Sequence, residues 1–427
     1  MKRIAIIGSG ISGMGAAYYL KDHFDVTVFE KENRPGGHTN TITVEEKDRL
    51  VPVDTGFIVF NHVTYPNLLR LFADLEIEQH PASMGFSVWN RRTGIQYCGS
   101  GLSGLFAQRR NLLRPWYYRF LLEANRFNEE APADLHSGLL FDKAWTMREY
   151  LDVKGFDEAF RENYILPMGS AIWSTPMDQM LDFPAAALIR FFENHGLLGL
   201  NTHHQWYSVK GGSRTYLDRI RSLLKEDVHS GEAVLSVKRL GPDSAEVTTS
   251  LRTYSFDAVI LASHAPDTLR MLVDATPLEK DILSQFPYHP NKAVLHTDAS
   301  VMPPIKRIWS AWNYKIDDAG QTTVYHMNRL QNLPTDTDYF VSINEIDQIR
   351  EDKIVREIDY EHPLFNMRSL LAQKRFQDLN ETGPVYFAGA YSRYGFHEDG
   401  LLSALKVVER LVREPAARPL ETVGRWS

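Results

Sequence analysis

The chain has 427 residues, 43% of them hydrophobic and 24% charged, and a formal net charge of −7. That length exceeds one simple core and points to two domains, while the composition excludes a disordered or fibrous class. The acidic balance argues against nucleic acid as a partner, and a single cysteine, Cys98, excludes an intrachain disulfide and a thiolate metal cluster; no metal site is expected.

The N-terminal apolar run stops after four residues at Gly8, too short for a signal-peptide core, and no apolar stretch is long enough to span a bilayer. The single cysteine fits a reducing compartment, and a cytoplasmic location is expected. "RIAIIG" reads as a buried parallel strand, and "SGMGAAYYLKDH" carries small and apolar residues at helical spacing. Between them "GSGISG", residues 8 to 13, has the spacing G-x-G-x-x-G. In that context Gly8 makes a tight turn, Gly10 bares the backbone to a pyrophosphate, and Gly13 lets the helix lie close to the strand. Ile11 and Ser12 open the helix, whose free N–H groups and positive dipole end suit an anion. A second strand, "DVTVFE", ends in Glu30, placed to accept hydrogen bonds from a ribose 2′-hydroxyl.

The next stretch, "KENRPGGHTNT", distinguishes a flavin from a nicotinamide cofactor. Adjacent Gly36 and Gly37 let the backbone pass under a bulky group, and Arg34 can neutralise a pyrophosphate. Here the chain resembles the flavin amine oxidase superfamily, which includes protoporphyrinogen oxidases and phytoene-type desaturases and follows the ribose acid with R-x-G-G-[RK]. His38 departs from that pattern. The resemblance implies FAD, with Lys31, His38 and Thr39 at the cofactor, and "VPVDTGFIVFN" as the next element, in which Asp54, Thr55 and Gly56 return past the flavin. A plain hairpin turn is the alternative for that stretch.

Further along, "GSGLSG", residues 99 to 104, repeats the glycine spacing, but "GIQYCGSG" makes a poor buried strand and no second strand ending in an acid follows. It reads as a flexible loop entering a helix. "LFAQRRNLLRPWYYRFLLEANRF" follows, basic, aromatic and partly amphipathic; it reads as a helical cap on the substrate domain or as peripheral contact with an anionic membrane. Then "WYSVKGGSRTYLDRIRSLL" gives a glycine turn before a helix, "GEAVLSVKRL" and "AEVTTS" alternate as strands, and "FDAVILASHAP" reads as a buried strand. The resemblance sets Val234 near the adenine and Ala262 near the cofactor. It also matches Lys292, at the start of "KAVLHTD", to a lysine that holds a water at the flavin N5, with a one-residue slip to Asn291 open.

Near the C-terminus "VYFAGAYSRYGFHEDGLLSALKVVERL" reads as strand, turn and helix. In the family this segment closes the cofactor site. The resemblance places Gly389 and Ala390 beside the ribityl phosphate end and aims the helix beginning near Asp399, Gly400 and Leu401 at the flavin's N1–C2 region. His397 stands where amine oxidases commonly carry an aromatic residue; it is a candidate proton acceptor or hydrogen-bonding group.

The expected architecture is α/β: a Rossmann-like FAD-binding domain of the glutathione reductase type (1–80, 205–285, 380–415) interleaved with an α+β substrate domain (81–204, 286–379) and a tail (416–427). FAD is expected to be noncovalent, since Cys98 is far from the matched motifs. "NKAVLHTD", "AWNY" and "GFHEDG" also resemble a bacterial subgroup related to the flavin domain fused to plant cyclopropane fatty acid synthases. That resemblance implies desaturation of a methylated or cyclopropane fatty acyl chain, with oxygen or an electron carrier as acceptor. The alternatives are an amine oxidase, a flavin-fold lipid-binding protein without turnover, and a non-redox mutase.

Overall fold

A computed structural model describes residues 1–199, 202–226, 228–318, 320–344 and 348–412. Residues 413–415, assigned above to the cofactor domain, and the expected tail lie outside the described residues.

Arg3–Ile7 is apolar after its first residue, and those four residues are buried, as in a strand covered on both faces. It pairs in parallel with Asp25–Glu30 and Ala258–Leu261, and His229–Ser230 and Val385–Phe387 complete a five-stranded sheet. Strands from distant parts of the chain therefore converge on one sheet. Helices Ile11–Leu20 and His397–Val412 pack together on one face, where Met14, Ala17, Leu401 and Leu405 share a core with Ile4 and Ile6. On the other face an antiparallel layer, Val234–Gly241, Ser244–Thr249 and Thr253–Phe256, packs Val237, Val247 and Phe256 against Ala5, Ile7 and Phe29. Each fully buried isoleucine or phenylalanine contributes roughly 1.5–3 kcal/mol relative to its exposed state.

A second sheet has seven strands in the order Ile354–Pro363, Tyr288–His296, Phe340–Ile343, Gln321–His326, Trp312–Ile316, Phe86–Asn90 and Ile95–Cys98. Trp312–Ile316 and Phe86–Asn90 run parallel; the other neighbours are antiparallel. The helical stretch after residue 100 covers this sheet. Its longest helix, Pro115–His136, starts on a proline, where a missing N–H loses nothing, and buries Tyr117, Phe120, Phe127, Ala131 and Leu135 at helical spacing. Tyr314 and Ile316 of the sheet join the helices' core.

The second glycine string corrects part of the sequence reading. Ile95–Cys98 is a largely buried strand, held antiparallel to Phe86–Asn90. The helix Gly101–Leu105 then starts within the string that read as a loop, and it is only five residues long. A Cβ on Gly104 would lie 2.5 Å from Cys98 Sγ, so this glycine permits a tight packing contact.

Candidate active site

Gly8 ends the first strand at φ +102°, a conformation that glycine adopts without steric penalty. A Cβ on Gly10 would meet no atom of the described residues within 4 Å, whereas one on Gly13 would overlap the Gly8 carbonyl. Gly10 thus opens on free space, while Gly13 sets the helix against the strand. A Cβ on Gly400 would lie 2.9 Å from both Ile11 Cγ2 and Ser12 Oγ, so the first turns of Ile11–Leu20 and His397–Val412 meet here. Two positive helix ends are brought close together. At the rim, Glu30 accepts hydrogen bonds from the backbone N–H groups of Ser9 (3.1 Å) and Glu32 (3.0 Å), and Gly36 donates its N–H to Ser9 Oγ (2.9 Å).

These elements border one cavity of about 2250 Å³ that also runs along the second sheet and its helices. Single-ligand pockets usually span about 300–1,000 Å³, so there is room for a dinucleotide and a substrate together. Of the residues predicted from sequence, Gly8, Gly10, Ile11, Ser12, Glu30, Lys31, Arg34, Gly37, His38, Gly56, Val234, Ala262, Gly389, Ala390, Lys292 and His397 line it. Trp312 Nε1, Tyr391 OH and Tyr394 OH, on lining residues, are buried without a hydrogen-bond partner among the described residues. A buried polar atom left in that state costs about 1–3 kcal/mol, so these atoms mark places for a polar ligand.

Other predicted residues stand behind the cavity wall. The Asp54 carboxylate accepts hydrogen bonds from Thr41 Oγ1 (2.5 Å), Ser213 N (2.9 Å), Ser213 Oγ (2.8 Å) and Gln331 Nε2 (2.8 Å), which leaves it no role toward a ligand. Burial nevertheless pushes its pKa up to about 7. Thr55 bonds to the Asn40 carbonyl and Tyr360 OH, and Thr39 to Tyr216 OH and His397 Nε2. Gly36 packs on Thr39 and Leu217. Asp399 accepts from the Phe396 N–H (3.0 Å) at the start of its own helix, and Leu401 fills the space left by Gly15. The guanidinium of Arg34 is turned onto backbone carbonyls of its own loop, Gly37 at 2.9 Å and Thr39 at 3.1 Å.

Both catalytic candidates are changed by the structure. The Lys292 side chain, at the border of the cavity, is 41% exposed, and its ammonium pairs with Glu357 (3.4 Å) and Asp359 (3.8 Å), which also line the cavity. Asn291, one residue earlier, is the buried member of the pair at 2% exposure. His397 stacks on Phe57 at 3.7 Å and lies 3.1 Å from Thr39 Oγ1 and 3.2 Å from Tyr216 OH. Burial lowers its pKa to about 3, so it stays neutral and is a poor proton acceptor at physiological pH.

Sequence reasoning missed a polar row across the sheet. His38 Nε2 lies 3.2 Å from His362 Nε2, His362 Nδ1 lies 2.8 Å from Asn291 Nδ2, and Asn291 Oδ1 accepts from Asn344. His38 also stacks on Tyr360. Burial holds both histidines below the usual imidazole range, His362 at about 4. Also missed was an aromatic wall in which Trp173, Phe191 and Phe396 pack at 4.7 and 4.9 Å, with His195 stacked on Phe191. Cavity-lining residues contributed by 84–206 include no Asp, Glu, Lys or Arg; the acids on the lining, Glu30, Glu32, Asp267, Glu357, Asp359 and Glu361, come from other parts of the chain.

A family model for flavin containing amine oxidoreductase matches residues 11–318. Coproporphyrinogen III oxidase of Staphylococcus aureus is 56% identical over 39 residues, which span 8% of this chain and 8% of that protein. A redesigned putrescine oxidase superposes with a TM-score of 0.72 at 15% identity, over 97% of this chain and 99% of that one. A fatty acid isomerase from P. acnes gives a TM-score of 0.66 at 14% identity, over 96% and 98%. At these identities the structural matches establish the shared fold.

Proposed function

Because this chain belongs to the flavin containing amine oxidoreductase family, it is an FAD-dependent oxidoreductase, and we propose that it removes a hydride and a proton from an uncharged fatty acyl chain. The observation that carries this reading is the substrate half of the cavity. It is walled by Phe120, Leu121, Met168, Ile172, Trp173 and Phe191, and no charged residue of the stretch 84–206 faces it. An ammonium group brought against the stretch 84–206 would lose its hydration without gaining a carboxylate partner there, whereas an acyl chain gains apolar contact along its length. The same fold serves a fatty acid isomerase and a putrescine oxidase, so the choice between acyl chain and amine rests on the cavity lining.

For the cofactor, the bare Gly10 cradle and the unpartnered Trp312, Tyr391 and Tyr394 atoms fit a bound dinucleotide. Gly8, Gly10, Ile11 and Ser12 would hold the pyrophosphate at the helix end, Glu30 and Lys31 would serve the adenosine ribose, Val234 the adenine, and Ala262, Gly389 and Ala390 the remaining chain of the cofactor. FAD supplies the hydride acceptor. Asn291, His362 and His38 form a fixed polar row along the cavity, and Asn291 is the buried member of the pair, whereas the Lys292 ammonium is engaged by Glu357 and Asp359. Since burial keeps His397 and His362 weakly basic, the substrate proton passes to water instead of resting on either ring. Cys98, buried against Gly104 and absent from the cavity lining, offers no thioether link to a flavin there, which supports noncovalent attachment.

The test is anaerobic reduction of the purified flavoprotein. Methylated fatty acyl lipids should bleach the flavin and putrescine should not. Bleaching by putrescine, with no response to acyl lipids, would replace this reading with an amine oxidase.

A further inference from the structure

The far end of the cavity is formed by a segment whose outer surface is unlike the rest of the molecule. Between Glu78 and Glu123 the chain contains no acid and six arginines, in a protein whose net charge is −7. Arg91 and Arg119 have carboxylate partners in Asp317 and Asp157, and Arg92 lies beside Asp318. Arg109, Arg110 and Arg114 have no carboxylate partner among the described residues, and exposed Lys306 and Arg307 add to them from the turn packed beside Ile95–Cys98. Large apolar side chains stand among these cations: Leu102 is 75% exposed, Leu113 88% and Leu122 69%. They belong to one packed unit, because the Phe106 ring meets Tyr117 and Tyr118, and Tyr118 OH donates to the Leu112 carbonyl.

The same elements line the cavity from inside. On Pro115–His136, Phe120, Leu121 and Ala124 face the cavity while Tyr118 and Leu122 face outward, one helical turn apart. Gly99, Ser100 and Asn125 line the cavity and are exposed, so an opening lies within this basic and apolar surface.

We propose that this surface, residues 99–122 with Lys306 and Arg307, docks on an anionic phospholipid bilayer and sets the cavity mouth against the lipid. The cations that no carboxylate of the described residues neutralises answer the negative headgroups, and the leucines enter the acyl boundary. Protein partners usually present hydrogen-bonding rims and acids at specific points; a bilayer supplies both the diffuse negative charge and the apolar layer that this surface matches. Docking itself stands on the surface, whereas delivery of an acyl chain through the mouth rests on the function proposed above.

The holoprotein is sedimented with vesicles of phosphatidylcholine alone and of phosphatidylcholine with phosphatidylglycerol in equal parts. Binding is expected to the anionic vesicles, to weaken as salt is raised, and to fall by about tenfold or more in Leu113→Ser/Leu122→Ser and in Arg109→Gln/Arg114→Gln. Retained flavin absorbance and unchanged unfolding of each variant show that the fold is intact, and flavin reduction by a soluble short-chain acyl substrate reports the catalytic reading separately. Failure to bind anionic vesicles, equal binding to both vesicle types, or binding indifferent to the substitutions overturns the proposal. So does a wild-type dimer that the leucine substitutions convert to monomer without any vesicle binding, since a second copy of the chain would then be the occupant.

Discussion

Replacing Gly10 and Gly13 separately distinguishes a cofactor cradle from a packing contact, although the two glycines lie in one short string. The backbone at Gly10, φ −66° and ψ −177°, is open to any residue, and no atom of the described residues lies within 4 Å of an added Cβ. Gly10→Val should therefore change the stability of the apoprotein by less than about 1 kcal/mol, the scale of a helix-start substitution. Its side chain would instead fill the space in front of the helix end and push a pyrophosphate off the first-turn N–H groups. Losing two charge-assisted hydrogen bonds at about 1.5–3 kcal/mol each corresponds to an FAD affinity lower by roughly 10²- to 10⁴-fold. Gly13→Ala reverses the pattern. Its Cβ would overlap the Gly8 carbonyl oxygen, a backbone atom that cannot turn aside, and overpacking of that kind costs about 1–3 kcal/mol or more. Urea unfolding of the apoproteins, which removes the stabilisation by bound cofactor, and titration with FAD followed by flavin fluorescence measure the two quantities independently. Full FAD affinity in Gly10→Val, or an apoprotein destabilised as much as Gly13→Ala, would refute the assignment of Gly10 to the cofactor.

The remaining predictions concern the polar side chains of the cavity. An unfolded His397 binds a proton below about pH 6.5, while burial delays protonation of the folded form to about 3, so stability is lost as pH falls through that window. The loss is about 1.4 kcal/mol per pH unit for this residue, and His397→Phe should flatten the acid limb of apoprotein stability by one proton; an unaltered slope would contradict the burial. Lys292→Ala should alter reoxidation of the reduced flavin by no more than about twofold, as expected for an exposed residue, while Asn291→Ala slows a half-reaction and disturbs the His362 contact. Stopped-flow measurement of both half-reactions checks this, and a large effect confined to Lys292 would restore the original expectation.

What could be read from the sequence was whatever acts through short stretches of backbone. Gly8, Gly10 and Gly13 sit within six residues, and a strand before them and a helix after them give each glycine a separate reason to be there. Glu30 could be placed because it ends the very next strand. The side chains that face the substrate were a different matter. Asn291 and Lys292 are adjacent on one strand, and alternation puts them on opposite faces; which one is buried depends on the pairing of Asn291 with Tyr360 and Lys292 with Asp359, almost 70 residues away. The partner strand Ile354–Pro363 passed unnoticed because so many of its residues are charged. Its signal was the period-two pattern that sets Ile358, Tyr360 and His362 against Glu357, Asp359 and Glu361. Once that pattern is recognised, the pairing fixes Asn291 and His362 on one face, within reach of His38. Backbone-built cofactor sites can thus be found from a single local string, whereas a cavity wall made of side chains from paired strands is defined only when the register between them is known.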